Sequence, residues 1–339
     1  MKSSKINITV IGLGYVGLPL SLILSNSYKI IGYDINPNGV RNKISNLESP
    51  ELKKIYNKNY NKNFLISNKF QTSYVNFICA STNKKSLSVK NDSILSTKII
   101  KNIIQKRKNF RKTFIVLMTT SEVGYSKKIL NYLKKRKLDK KFEFLYTPER
   151  IFPSNLFYEL VNNNRIIGNN KKKSFKFMKE IFDTFVKGEI IDIDHTSAEL
   201  IKIFENTYRN VNIGLANELL KISIKEKLDI KNILKAANQH PRVSILNPGI
   251  GIGGHCIPVD PKFLISKYNN IPLIKHSILS NVKHPLFITK KINSYIIKNN
   301  FKNILFLGLT YKPNVADFRN SPAIKIVKNI VKLKKSQIF

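Results

Sequence analysis

The chain has 339 residues, of which 42% are hydrophobic and 24% are charged, and it contains two cysteines. The apolar fraction supplies material for packed cores and excludes a disordered protein, while the length favours two or three domains. Two cysteines exclude a disulfide framework or a cysteine-built zinc module, so we predict no metal site and a reducing compartment.

The formal net charge is +38, from 59 Lys and Arg against 21 Asp and Glu. The basic residues form short runs, such as Lys134–Lys137 and Lys171–Lys173, spread along a chain rich in Asn and Ile. This spread favours the drift of an A- and T-rich genome over a nucleic-acid surface, which more often combines Arg with aromatic residues. A polyanion binder is the alternative, and we expect no specific nucleic-acid partner.

The apolar N-terminal segment Ile6–Leu24 predicts a buried strand and helix rather than a signal peptide. Three glycines and a proline interrupt it, and no clean cleavage site follows. No stretch of the chain reaches the roughly 20 apolar residues that a membrane span needs. We therefore expect a cytoplasmic protein without a membrane partner.

Strands alternate with helix-length segments in the first half of the chain. The predicted strands are Ile6–Ile11, Lys29–Tyr33, Val75–Ala80, Phe114–Met118 and, as the last of this half, Phe142–Tyr146; the first predicted helix is Leu18–Leu24. This alternation indicates a parallel, doubly wound sheet. The predicted fold class is α/β, with an N-terminal Rossmann-like parallel sheet in a domain over residues 1–194.

The pattern changes in the middle of the chain. Thr196–Lys227 carries apolar residues almost continuously at helical spacing, which predicts a buried central helix or a close pair of helices. Helical pattern continues to Asn238, a loop rich in Gly and Pro covers Asn247–Pro261, and another helix covers Ser277–Lys298. We predict a central helical domain over residues 195–300.

The last segment resembles the opening of a second nucleotide-binding domain. Asn303–Gly308 predicts a strand, which a loop and a helix follow. An independent domain needs roughly 100 residues, so this domain is predicted to stop about a third of the way through. We predict an incomplete C-terminal Rossmann-like domain over residues 301–339.

A glycine-rich turn follows the first predicted strand. Gly12, Gly14 and Gly17 form G-x-G-x-x-G before a helix, and Asp34 ends the next strand. The glycines allow a pyrophosphate to approach a helix N-terminus, and the acid accepts hydrogen bonds from a ribose diol. Asp34 favours NAD over NADP, because its charge would repel a 2′-phosphate. The alternative is a glycine turn without a ligand.

A second motif places Cys256 at the end of a glycine loop, four residues before Asp260. Backbone N–H groups in such a loop can surround an oxyanion, and neighbouring cationic side chains favour a thiolate. We predict a reactive thiol at Cys256. Cys79 lies in the apolar run Phe77–Ala80 and is predicted to fill a small space in the core.

Two further groups carry polar side chains. Lys202, Asn206 and Arg209 share one face of the central helix, where a polar ligand or solvent would satisfy them. Glu149 lies in Tyr146–Arg150, directly after a predicted parallel strand, where ligands bind. It is a candidate general base, and a surface turn is the alternative.

With these motifs in order, nearly the whole chain resembles the UDP-glucose/GDP-mannose dehydrogenase family. Within it, Glu205–Ile213 and Ala237–Leu246 look most like the bacterial UDP-N-acetyl-D-mannosamine dehydrogenases. The resemblance implies oxidation of a UDP-sugar at C6 to the acid, with four electrons passing to two NAD. The implied product, UDP-N-acetyl-D-mannosaminuronate, would serve surface polysaccharide (enterobacterial common antigen) synthesis. The alternatives are oxidation of UDP-glucose or UDP-N-acetylgalactosamine, or a C-terminally truncated, degraded relative with impaired activity.

The resemblance also implies roles for residues and a homodimer through the central helix. Cys256 would form a thiohemiacetal and then a thioester, Lys202 and Asn206 would stabilise the oxyanion, Asp260 and Glu149 would transfer protons, and Thr120 would position water. The implied cofactor residues are Gly12, Gly14, Tyr15, Val16, Gly17, Asp34, Thr82, the Thr119–Thr120 turn, Ser126 and Arg319. The implied substrate residues are Arg150, Ile151, Lys202, Asn206, Arg209, His240, Arg242, Gly253 and Lys312, with Arg242 reaching the partner subunit's site.

Overall fold

The computed structural model describes residues 6–47, 49–80, 89–107, 112–151, 155–312 and 317–333, with the backbone alone for 89–92. The chain forms two compact units, Met1–Lys202 and Ile203–Phe339. The three domains predicted from the sequence, over 1–194, 195–300 and 301–339, stay a prediction.

One eight-stranded sheet forms the centre of the first unit. Its strands are β1 (Asn7–Ile11), β2 (Lys29–Tyr33), β3 (Phe64–Ser67), β4 (Val75–Ile78), β5 (Thr113–Leu117), β6 (Phe142–Tyr146), β7 (Arg165–Gly168) and β8 (Ile190–Ile193). The order is β3-β2-β1-β4-β5-β6-β7-β8, and only the β6–β7 pair is antiparallel. The predicted α/β class with a parallel sheet is confirmed. The order reverses between β1 and β4, where such sheets open a ligand crevice.

Helices cover both faces of this sheet. They are α1 (Gly17–Leu24), α2 (Pro37–Ser45), α3 (Pro50–Asn59), α4 (Val89–Gln105), α5 (Tyr125–Lys135), α6 (Leu156–Asn162) and α7 (Lys172–Phe182). Every residue of β5 and β6 is buried, as expected for parallel strands covered on both sides. Glu143 on β6 is a buried charge, and Lys112 and Lys171 pair with it at 2.7 Å and 3.0 Å.

The sheet continues beyond the strand that was predicted to be its last. The expectation that Phe142–Tyr146 ends this half is wrong, because β7 and β8 follow it. The prediction also missed β3, a four-residue edge strand whose Leu65 is exposed. Strand β7 begins with the buried charge of Arg165, so its short apolar run does not stand out from the flanking polar sequence.

Helices form most of the second unit. They are α8 (His195–Lys225), which begins in the first unit, and then α9 (Ile230–Ala237), α10 (Asp260–Ile265), α11 (Pro272–Lys298) and α12 (Pro322–Leu333). The predicted central helix is a single helix of 31 residues rather than a close pair. Helices α11 and α12 share an apolar cluster formed by Ile296, Ile326 and Ile330. Within the described parts of the chain, no helix is long and apolar enough to cross a membrane.

The strand predicted over Asn303–Gly308 does not form. Leu305 and Leu307 are exposed there, and of the described residues in this segment Ile304 alone forms a β-bridge. An apolar run becomes a strand only where a neighbour satisfies its backbone groups. The prediction of a strand here was therefore wrong, although the helix predicted after it is present as α12.

Two buried histidines should make stability depend on pH. Burial lowers the pKa of both His195 and His284 from 6.5, although each ring bonds a backbone carbonyl. The unfolded chain therefore takes up protons first as the pH falls, and the stability that is complete above about pH 6.5 declines below it.

We expect the urea midpoint of the wild-type protein to fall between about pH 7.5 and about pH 5.5. His195→Gln keeps a donor for the Phe144 carbonyl and removes one titrating ring, so its midpoint should fall less over the same range. A wild-type midpoint that does not fall, or an equal fall in both proteins, would contradict this assignment.

Candidate active site

The turn between β1 and α1 has the geometry of a dinucleotide site. Gly12 has a φ of +91°, and a Cβ there would lie 2.6 Å from the backbone of Ala80. A Cβ on Gly17 would lie 1.9 Å from the Gly12 carbonyl oxygen. Around Gly14 no atom beyond the glycine and its two chain neighbours lies within 4 Å of a Cβ position. Two glycines are thus needed for packing, and the third leaves space at the helix N-terminus, which fits the pyrophosphate of NAD.

Asp34 lies directly after β2 and is tied to this turn. Its Oδ2 accepts the Leu13 N–H at 2.8 Å, and its Oδ1 accepts the Asn36 N–H at 2.9 Å. Each carboxylate oxygen retains a further lone pair, so the group can also accept from ribose hydroxyls. The residues of the turn and Asp34 therefore fit the adenosine half of NAD.

The other predicted cofactor residues of the first unit lie in different surroundings. Tyr15 is 54% exposed on the turn, and Val16 is half-buried beside it. Thr120 is half-buried in the segment after β5. Thr82 lies outside the described residues. The roles of these residues stay predictions.

Ser126 is buried at the start of α5, and Glu199 of α8 bonds its polar groups. Glu199 accepts the Ser126 N–H at 2.6 Å, the Ser126 hydroxyl at 2.5 Å and the Gly124 N–H at 2.5 Å. It caps backbone donors that the helix itself leaves unpaired. Sequence reasoning missed Glu199 because its partners are 73 to 75 residues away. A cofactor contact by Ser126 stays a prediction.

Glu149 lies just beyond β6 in a buried ion pair with Arg165. Glu149 Oε2 is 2.7 Å from Arg165 Nη1, with exposed side-chain fractions of 7% and 6%. Glu149 Oε1 accepts the Arg150 N–H at 3.0 Å. The Arg165 guanidinium carbon lies 5.2 Å and 5.5 Å from the ring centres of Phe182 and Phe185. Glu149 is therefore a fixed, buried carboxylate rather than part of a surface turn.

The thiol of Cys79 is close to this carboxylate. Burial raises the pKa of Cys79, and the negative charge of Glu149 raises it further. Its sulfur lies 3.7 Å from that of Met118. Cys79 is consequently held in the protonated form, in agreement with its predicted place as core filler. Arg150 and Ile151, the predicted substrate residues here, are half-buried, and Arg150 donates to the Asn164 carbonyl at 2.5 Å.

In the second unit, the exposed Cys256 belongs to a segment whose far end is Asp260. The Cys256 carbonyl accepts the N–H groups of Val259 and Asp260 at 3.1 Å and 2.9 Å. Asp260 is 4% exposed, and its Oδ2 accepts the Asn206 side-chain amide at 2.6 Å. Two predicted catalytic residues, Asn206 and Asp260, are thus in direct contact, and the third, Cys256, lies at the other end of the same turn.

The glycines before Cys256 pack against residues near α12. A Cβ on Gly253 would lie 2.6 Å from Tyr311, and Gly254 donates its N–H to the Arg319 carbonyl at 3.0 Å. Nε and Nη2 of the Arg319 guanidinium both donate to Asp317 Oδ2, at 2.9 Å and 2.6 Å. This hydrogen bonding lowers the pKa of Asp317. Lys312, a predicted substrate residue, is half-buried nearby in sequence.

The remaining predicted substrate residues have different exposures. Lys202 and Arg209 are half-buried on α8, one turn before Asn206 and one turn after it. His240 and Arg242 are exposed, and the Arg242 N–H donates to His240 Nδ1 at 3.3 Å. Their roles at a substrate stay predictions.

Arg165→Met should lower the free energy of unfolding by about 3–5 kcal/mol, because it leaves the Glu149 carboxylate buried without its cation. The exposed pair Lys179–Asp183 has the same 2.7 Å separation, with exposed fractions of 43% and 46%. Lys179→Met should therefore cost about 0–1 kcal/mol. Urea unfolding of the two variants makes the comparison, and equal losses would contradict it.

Comparisons with known proteins match segments of both units to domains of one enzyme family. Residues 6–186 match the NAD-binding domain of the UDP-glucose/GDP-mannose dehydrogenase family, and residues 196–283 match its central domain. The UDP-N-acetyl-D-mannosamine dehydrogenase of Methanocaldococcus jannaschii is 37% identical, over 96% of this chain and 76% of the relative. The Campylobacter jejuni enzyme of that name is 33% identical, over 98% and 85%.

A solved structure of UDP-D-ManNAc dehydrogenase from Pyrococcus horikoshii superposes with a TM-score of 0.85 at 32% identity, covering 96% of this chain and 81% of that one. The chain therefore belongs to the UDP-glucose/GDP-mannose dehydrogenase family and is an NAD-dependent oxidoreductase.

Proposed function

We propose that the chain oxidises UDP-N-acetyl-D-mannosamine at C6 to UDP-N-acetyl-D-mannosaminuronate. The observation that carries the proposal is the exposed Cys256 in a segment that the Asn206–Asp260 hydrogen bond holds in place. An alcohol-to-acid oxidation passes through an aldehyde, and a thiol at the site provides the means for its second half. The names of the relatives at 33–37% identity support the choice of sugar.

The first oxidation converts the C6 alcohol to an aldehyde. Bound NAD supplies the hydride acceptor for this oxidation and for the next, one molecule for each. A carboxylate, Glu149 or Asp260, takes the hydroxyl proton as the C6 hydride leaves. The ammonium of Lys202 and the amide of Asn206 stabilise the oxygen as it becomes negative.

The second oxidation needs a covalent bond to the chain. The Cys256 thiolate adds to the aldehyde carbon and forms a thiohemiacetal. Loss of the second hydride and of the hydroxyl proton leaves a thioester on Cys256. Water, positioned by Thr120 and deprotonated by a carboxylate, then cleaves the thioester and releases the acid and the thiol. Cys79 is unsuited to this role, because burial raises its pKa.

The remaining assignments concern the nucleotide sugar and the assembly. Arg150, Arg209, His240, Arg242 and Lys312 would contact the charged and polar groups of the UDP-sugar. A reducing compartment such as the cytoplasm would keep Cys256 as a thiol. We further propose that the product enters surface polysaccharide synthesis, with enterobacterial common antigen as one example.

A homodimer is also part of the proposal. An apolar face on α8, formed by Phe204, Tyr208, Leu215 and Ile222, is 52% to 57% exposed in one chain. Residues at these spacings share one side of a helix, and a continuous apolar face of this kind is typical of a protein interface. A second copy of the chain would cover it.

The reaction can be followed by NADH absorbance with purified protein, NAD and UDP-N-acetylmannosamine. We expect two NADH per sugar in the wild type, at most one in Cys256→Ser, and an unchanged yield in Cys79→Ser. No acid should form in Cys256→Ser, since a serine alkoxide neither forms readily nor leaves as a thiolate does. Acid formation by that variant would remove Cys256 from the nucleophile role.

The same assay with UDP-glucose and UDP-N-acetylgalactosamine compares the alternative substrates. We expect kcat/KM to be highest with UDP-N-acetylmannosamine. A higher value with either of the other sugars would keep the chemistry and change the proposed substrate. Absence of turnover with all three, with NAD still bound, would favour a degraded relative.

Leu215→Glu should convert the dimer to a monomer, because it places a charge in the middle of the apolar face. Lys225→Glu changes the charge of an exposed position at the end of the same helix and should leave the dimer intact. Light scattering after gel filtration gives the masses. A wild-type monomer, or a dimer that survives Leu215→Glu, would contradict the assignment.

A further inference from the structure

Two side-chain amides of α8, one turn apart, both donate to the segment Cys256–Asp260. Asn206 Nδ2 donates to Asp260 Oδ2 at 2.6 Å, and Asn210 Nδ2 donates to the main-chain carbonyl of Ile257 at 3.1 Å. Asn210 belongs to no part of the chemistry set out above. It contacts the backbone of the residue that directly follows the thiol.

Helix α11 fixes the orientation of the Asn210 amide from the opposite side. Asn281 Nδ2 donates to Asn210 Oδ1 at 3.1 Å and to the Asn210 main-chain carbonyl at 2.8 Å. The Ser277 hydroxyl lies 3.2 Å from the same Oδ1. With its oxygen held by α11, the amide can present only its N–H side to Ile257. Asn210 and Asn281 are 2% and 7% exposed, so water offers little replacement for these bonds.

The segment Cys256–Asp260 is short, so a hydrogen bond that holds it at Ile257 also restricts the position of Cys256. The carbonyl of Cys256 accepts the Val259 and Asp260 N–H groups, which closes a turn between the thiol and the carboxylate. Asn206 holds this turn at its Asp260 end, and Asn210 holds it next to Cys256. Two anchors fix both the position and the rotation of the turn, whereas a single anchor leaves it free to pivot.

We propose that Asn210, oriented by Asn281, is a positioning residue that sets the place of the Cys256 thiol. The inference rests on the proposed function, because the position of the thiol matters for the reaction only if the thiol attacks a bound aldehyde. Small displacements of a reacting group are costly, and a shift of about 1 Å can slow a reaction about 10²-fold.

The test compares Asn210→Leu with Asn217→Leu. Leucine has nearly the shape of asparagine and removes the amide. Asn217 is a matched control, because it is 1% exposed on the same helix. Its Oδ1 accepts the Gly249 N–H at 2.9 Å, in the same loop but seven residues before the thiol. Asn281→Ala provides a second change one step removed from the thiol, because both hydrogen bonds of the Asn281 amide group go to Asn210.

Two measurements separate positioning from a purely structural role. We expect kcat of Asn210→Leu to fall by about 10²-fold with an unchanged Kd for NAD, and that of Asn281→Ala to fall by about tenfold. Combining the two changes should slow the enzyme no further than Asn210→Leu alone. By hydrogen exchange, the Val259 and Asp260 amides should exchange at least about tenfold faster in Asn210→Leu, while α9 stays unchanged.

Wild-type kcat and wild-type exchange in both Asn210→Leu and Asn281→Ala would overturn the inference. Equal losses in Asn210→Leu and Asn217→Leu would also overturn it, because they would indicate general loosening of the loop. If Asn210→Leu fails to fold, Asn281→Ala and its exchange pattern decide. If the wild type has no turnover with any UDP-sugar, the proposed function fails, and the exchange of Val259 and Asp260 alone decides whether Asn210 anchors the segment.

Discussion

The hydrogen bond between Asn206 and Asp260 is the interaction on which the candidate thiol site depends. A polar group on the buried side of a helix costs stability unless a partner satisfies it. Helix α8 carries such groups at successive turns, and the segment that follows the glycine loop supplies the partners. The place of the Cys256 segment therefore follows from hydrogen bonds that satisfy polar side chains of α8.

The first unit is constrained by the close approach of its backbone at the glycine turn. Any side chain on Gly12 or Gly17 would overlap backbone atoms, so the turn admits only glycine at these positions. The same turn holds Asp34 by the Leu13 N–H. Further along the sheet, the Arg165–Glu149 pair fixes a carboxylate in a buried place. Such a carboxylate keeps one orientation, which suits a proton acceptor that must meet its donor at short range.

Much of this arrangement could be predicted from the sequence. The glycine spacing and Asp34 identify the dinucleotide turn, because each glycine has a separate steric reason. Strands β2 and β6 have the predicted bounds, and a polar residue directly follows each of them. The polar stripe of α8 also pointed to Asn206, and Asn210 lies one turn after Asn206, next to Arg209 of the same stripe. Its partner Asn281 could not have been found in this way, because it lies 71 residues away on another helix.

Other features depend on contacts that no local pattern contains. Arg165 starts an apolar strand, and a charge in that position is stable only because Glu149 meets it there. The run Asn303–Gly308 has strand-like composition but forms a single β-bridge, at Ile304, rather than a strand, so composition alone was misleading. The composition of a segment shows whether it can form a strand, whereas hydrogen bonding to a neighbouring strand decides whether it does.

Mass spectrometry of the acid-quenched protein, taken during turnover with NAD and UDP-N-acetylmannosamine, tests the central claim most directly. A thioester on the chain adds the mass of the oxidised nucleotide sugar to one peptide. The account predicts this adduct on the peptide that contains Cys256, and its loss in Cys256→Ala. Acid production without any adduct in the wild type and with unchanged yield in Cys256→Ala, or an adduct on the peptide that contains Cys79, would contradict it.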